Sequence, residues 1–133
     1  MTECNRSTLS FSSLSRRQIL ADFNGGHLTS DAGALLLREA DRRMGLLDAL
    51  AACITDPRES SRIQHDVKTL LAQRIFGIAM GYEDGNDHQM LRKDPIMQVL
   101  AGVAPDSETP LASALRLPNL EYRSTGDRLR FWS

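Results

Sequence analysis

Apolar positions recur along this chain in short bursts, separated by glycine, proline and acidic residues, and the spacing inside each burst predicts its local structure. Gln18-Ile19-Leu20-Ala21-Asp22-Phe23 is a short, mostly apolar run. Asn24-Gly25-Gly26 follows, residues that tolerate positive φ, and His27-Leu28-Thr29 leads out. This predicts a strand, a tight turn and a second short strand, a hairpin that needs a surface to pack on. Ser30 is placed to cap a helix and Asp31 to meet its dipole. The spacing predicts that helix from about Asp31 to Met44, with Leu36, Leu37, Ala40 and Met44 on one face and Gly45 as a left-handed cap. A second helix restarts at once on Leu47, Leu50, Ala51 and Ile54, and Asp56-Pro57 ends it.

After a charged connector from Arg58 to Gln64, a third helix over His65 to Met80 carries the widest apolar stripe. The stripe comprises Val67, Leu70, Leu71, Ile75, Ile78, Ala79 and Tyr82; Gly77 permits close packing and Gly81 ends the helix. Asn86 can cap a short fourth helix through Lys93, and Pro95 can open a fifth that reaches Leu100. Met1 to Ser15 is polar and poor in pattern, as in a loosely attached arm. Gly102 to Pro110 is a loop by composition, and Leu111 to Ser133 shows no sustained period. The expected fold is mainly α with a short N-terminal β hairpin: an arm over 1–17, a hairpin plus helices over 18–101, and a loop and irregular tail over 102–133.

Composition narrows the function classes only slightly. The 133 residues make one domain, and 16 Lys+Arg against 17 Asp+Glu give a formal charge of −1, so net charge makes no case for nucleic acid. Any DNA contact has to come from a local basic face, for which Arg42, Arg43, Arg58, Arg62, Arg74, Arg92 and Lys93 are the candidates, with Arg16-Arg17 beside them. These bases are interleaved with acids, so a solvated mixed-charge surface predicts the same pattern. Cys4 and Cys53 read as free thiols in a reducing compartment. No apolar run is long enough for a bilayer and Met1 to Arg17 lacks a signal-peptide core, so the expected location is cytoplasmic with no membrane partner.

The candidate chemistry is sparse. Glu83, Asp84, Asp87 and His88 could gather a divalent metal, but Gly85 and Asn86 break the helix between them, and acids at a helix start serve as caps. The Asn24 to His27 turn lacks both phosphate-loop patterns, and a hairpin turn explains it. His27, His65 and His88 join no metal-spacing motif, and Ser30, Ser60 and Ser61 have no nucleophile-elbow context.

In order and spacing, however, these residues resemble transposases of the IS1380 group, within the DDE family. Gly25, Gly26, Ser30, Asp31 and Gly33 precede a leucine-rich helix, Ala34 to Arg43, as in that group. Asp56-Pro57-Arg58 is followed by Ile63-Gln64-His65. The run Leu71 to His88 includes Gly81, Tyr82, Glu83, Asp84, Asn86, Asp87 and His88, and Asp94-Pro95 continues it toward Leu111-Ala112-Ser113. The resemblance covers roughly residues 20 to 113 and is lost in the segment Ala114 to Tyr122, which suggests a frameshift or early stop.

It implies DNA cut-and-paste chemistry on element terminal repeats, by an RNase H-like core whose three acidic residues hold two divalent ions, Mg²⁺ by expectation. The first catalytic Asp is expected beyond the segment seen here, so the resemblance implies no catalytic residue and no cofactor held by this chain. It leaves a truncated part limited to DNA binding, or to association with itself or with an intact transposase. A small helical regulatory or interaction module is the competing reading, and a small metalloenzyme built on Glu83, Asp84, Asp87 and His88 a third. The apolar stripe of the third helix, short of a partner, predicts self-association.

Overall fold

The computed structural model describes residues 8–22, 29–56, 58–105, 107 and 109–113, with the side chain of Arg62 left aside. A two-stranded antiparallel hairpin, β1 (Leu9–Leu14) and β2 (Arg17–Ala21), precedes five α-helices. These are α1 (Ala34–Met44), α2 (Leu46–Ala52), α3 (Val67–Ala79), α4 (His88–Leu91) and α5 (Pro95–Leu100), with 3₁₀ turns at Ser60–Arg62 and Gly85–Asp87. The class is the expected one, mixed α and β with the hairpin at the N-terminus.

The hairpin sits one segment earlier than expected. The run at Gln18 is the second strand, and its partner is Leu9–Leu14, inside the stretch read as a loose arm. Three serines dilute the alternation of β1, yet Phe11, Leu14 and Ile19 pack on the core, and that contact supplies the surface a two-stranded hairpin requires. The expected turn at Asn24 to Gly26 and the strand beginning at His27 lie outside the described residues, apart from Thr29, which is in no strand. Phe11 pairs with Ile19 and Leu14 with Arg17, so Ser12 and Ser13 face Gln18 alone and form a β-bulge.

Helix α1 begins later than the expected Asp31, and neither Ser30 nor Asp31 caps it; residues 30–33 form turns leading into it. Its buried residues are Ala34, Leu35 and Arg38, whereas Leu36, Leu37 and Met44 of the expected core face are exposed. The reason is tertiary: β1, α3 and α5 all lie against α1 and cover its other side. At Gly45, with φ 68°, the chain turns directly into α2, and the Asp41 carboxylate accepts from the amide of Leu47 at 2.8 Å.

Helix α3 is the centre of the packing, touching α1, α2 and α5. It begins at Val67, close to the expected His65, and Asp66 caps it by accepting from the Thr69 amide at 2.7 Å. It buries Leu70, Ala72, Gln73, Phe76 and Gly77, so the expected stripe is only part of its buried surface, and Ile78 at its far end is 48% exposed. Asp84, not Asn86, caps the next turn, and α4 follows from His88. Helix α5 starts at Pro95 as expected, with the Asp94 carboxylate accepting from the amides of Ile96 and Met97. Beyond the expected loop, Leu111 and Ala112 are buried, so the core closes on residues that show no period in sequence.

Candidate functional site

The motif residues converge on the ends of α3. Gly81, with φ 94°, terminates that helix: its amide donates to the Ile78 carbonyl and that of Tyr82 to the Gly77 carbonyl, both at 2.9 Å, a Schellman arrangement. The reversal sends the Tyr82 hydroxyl to the Asp31 carboxylate, to which it donates at 3.0 Å. That bond holds the phenol protonated and raises the pKa of Tyr82, with the negative charge of Asp31 adding to it. Two motifs fifty-one positions apart in sequence are thereby joined.

His88 lies at the buried end of the motif. It is fully buried, as is Gln73 opposite it on α3. The Gln73 amide holds the backbone of Ala112 by both groups: Nε2 donates to the carbonyl at 2.9 Å, and Oε1 accepts from the amide at 3.1 Å. Those two bonds fix which end of Gln73 is nitrogen, and the same Nε2 stands 3.4 Å from Nδ1 of His88. Nδ1 must therefore accept, which leaves the ring proton on Nε2, buried without a partner among the described residues. Desolvation lowers the pKa of His88; the positive charge of Arg74 lowers it further and Asp87 opposes this. The ring lies over Gly77, where a Cβ would come 2.6 Å from Cε1. The amide of Leu111 donates to the Arg92 carbonyl at 2.9 Å, so 111–112 is held from both sides.

Several of the remaining motif residues have structural partners. The Arg58 guanidinium forks onto the Asp56 carboxylate and reaches the His65 carbonyl at 3.0 Å; its hydrogen bonds to Asp56 raise the pKa of Arg58. Asp84 accepts from the Asn86 amide, and Asp94 caps α5. Glu83 is exposed, and its carbonyl accepts from Arg74 at 2.8 Å. Ser30 and Gly33 are exposed in turns; Gly25, Gly26 and Pro57 lie outside the described residues.

The structure does not assemble Glu83, Asp84, Asp87 and His88 into a ligand cage, because the imidazole turns inward to Gln73 while Asp84 binds the following turn. Among the described residues, no three of His, Cys, Asp or Glu could hold a metal ion together.

The candidate DNA-contacting bases divide into two sets. Arg58 and Arg74 are engaged with protein groups. Arg42 and Arg43, in the last turn of α1, and Lys93, just after α4, are exposed and make no ion pair among the described residues. Arg92 is half-buried, with its Nε out of solvent, and the side chain of Arg62 is outside the description. Cys53 is a free, exposed thiol, and no described helix is long and apolar enough to cross a membrane.

Sequence reading missed the links made by Gln73, Glu39 and Ser12. Glu39 of α1 accepts from the amide and hydroxyl of Ser12, each at 2.7 Å, while Arg38 donates to the Ser12 carbonyl at 2.8 Å. The groups left unpaired by the bulge are thus satisfied by two adjacent helix residues. Only the polar Gln73 among apolar neighbours was a visible signal.

No curated protein and no solved structure matches the chain. A family model described as "Transposase DDE domain group 1" matches residues 11–130, which begins within β1 and runs past Ser113, where the motif-by-motif resemblance stops. The loss of resemblance that suggested a frameshift is therefore not upheld. DDE transposases generally use divalent metal, and the described residues offer no group that fits such an ion, so no metal-dependent step is placed on them. With the match covering most of its length, the chain belongs to the DDE transposase family.

Proposed function

We propose that this chain is a DNA-engaging, amino-terminal part of a transposase of the IS1380 group, acting in the cytoplasm on the terminal repeats of its element. The catalytic carboxylates and their Mg²⁺ ions belong, in this reading, to the rest of the enzyme. Family membership supports the DNA substrate, and the ordered motifs from Gly25 to Pro95 support the group. The observation that carries DNA engagement by this segment is the state of its cations. Arg42, Arg43 and Lys93 keep exposed charges, whereas Arg58 and Arg74 are held by protein groups and serve the fold. Exposed guanidinium and ammonium groups contact phosphates and release counterions, so binding weakens steeply with salt.

Fluorescence anisotropy over a salt series, with terminal-repeat duplex against a scrambled one, tests this. The repeat should bind tighter, and the double variant Arg42→Ala/Lys93→Ala should lower the log–log salt slope by about 2, at roughly 0.9 per lost phosphate contact. Equal affinity for both duplexes, or a slope the double variant leaves unchanged, overturns the reading. An interaction module is the second reading, and the exposed apolar surface of α1 favours it.

A further inference from the structure

Beside β1, helix α1 borders a groove of about 570 Å³ lined chiefly by Leu9, Phe11, Leu36, Ala40 and Met44, with Glu39 and Arg43 among its walls. Leu36 and Met44 are 65% and 69% exposed, so the most solvent-facing apolar side chains of α1 lie along this groove rather than scattered over the surface. We propose that the groove pairs with the same groove of a second copy of this chain, α1 packing antiparallel against α1 about a two-fold axis near Ala40.

An isologous contact requires a patch complementary to itself. Leu36 and Met44 stand one helical turn to either side of Ala40, so the axis sets Leu36 of each copy against Met44 of the other. Ala40 at the crossing is small enough for the helices to approach closely. The charges obey the same symmetry. Glu39 and Arg43 are four apart on one flank, so reversing the helix brings Arg43 of each copy toward Glu39 of the other. Arg43 makes no ion pair among the described residues, and a carboxylate retains lone pairs after accepting from Ser12. One acid and one base on the walls give the groove no preference for a polyanion; Arg43 is shared with the cations of the DNA-engaging reading, whereas Arg42 and Lys93 lie outside the groove.

Sedimentation equilibrium of the whole chain over a concentration series should show a reversible dimer. Leu36→Glu should weaken it about ten-fold or more, with helix content by circular dichroism unchanged because the side chain is already exposed. In a Cys4→Ser/Cys53→Ser background, Ala40→Cys should cross-link as a covalent dimer under mild oxidation, and Ala49→Cys, exposed on α2, should not. A monomer at every concentration overturns the proposal, whether the groove is open or filled by carboxy-terminal residues of the same chain. So does a dimer that tolerates Leu36→Glu and fails to cross-link through Ala40→Cys. Neither result bears on binding to the terminal repeat, which is read separately.

Discussion

Gly77 and His88 share a space that admits no further carbon. A Cβ on Gly77 would lie 2.6 Å from Cε1 and 3.1 Å from Nε2 of an imidazole that is fully buried and faces Gln73 through Nδ1. The ring has nowhere to retreat without losing that neighbour, so overpacking outweighs the better helix propensity of alanine. Gly77→Ala is expected to lose about 1–3 kcal/mol in urea unfolding. Gly85→Ala is the matched control: its φ is not in the left-handed region and nothing lies within 4 Å of the added carbon, so its midpoint should hardly move. Equal losses in the two variants would remove steric contact with His88 as the cause. The sequence offered Gly77 as a place for close approach, and that is what it is. It did not show that the approaching group is the imidazole of the motif, because Gln73 and His88 stand fifteen positions apart and the chain reversal that brings them together lies between them.

At the level of elements, the hairpin is tied to the helices through one bulged residue. Glu39 accepts both the amide and the hydroxyl of Ser12, and Arg38 takes the carbonyl. Glu39→Ala should leave the bulge amide without an acceptor. Hydrogen exchange at Ser12 and its β1 neighbours is then expected to accelerate while the amides of α3 keep their protection. Uniform acceleration through α3 would instead mean that the link supports the whole fold. The same junction explains what could be read in advance. Helix α5 was legible because Asp94-Pro95 marks its start locally, and α3 because its apolar residues recur at the helical period. Strand β1 was hidden because its serines are polar by composition, and the one that ties it to α1, Ser12, does so through Glu39, a partner distant in sequence. The buried side of α1 was misread for a related reason. Arg38 sits in the interior because a backbone carbonyl awaits it, and Leu36 and Met44 point away, a choice made by neighbours rather than by periodicity. Of the site, the motif residues could be listed from the sequence, but the pairings of those described depend on tertiary closure and were invisible.

For the molecule as a whole, the buried imidazole sets the response to acid. Its pKa is lowered in the folded chain by desolvation first and by Arg74 second, against an ordinary value of 6.5. Below that value the unfolded chain binds a proton that the folded chain refuses, so stability is complete above about pH 6.5 and drains as the pH falls toward the folded value. A protonated Nδ1 would also point its hydrogen at the Gln73 amide nitrogen, opposing the arrangement that holds Ala112. Glu39 acts in a lower window: hydrogen bonds from Ser12 depress its pKa below 4.5, so its contribution is present above that value and lost as the pH falls through the folded one. Tyr82 acts at the other end, since its raised pKa favours the folded chain below about pH 10, and that contribution disappears as the pH rises beyond it. Urea midpoints are therefore expected to be flat from about pH 7 to 9 and to fall on acidification first in the His88 window, before that of Glu39. In His88→Asn the first fall should vanish, leaving only the carboxylate window, whatever the variant's stability at neutral pH. If that variant retains the decline between about pH 6.5 and 5, the neutral, Nε2-protonated imidazole is not what fixes the acid limit of this fold.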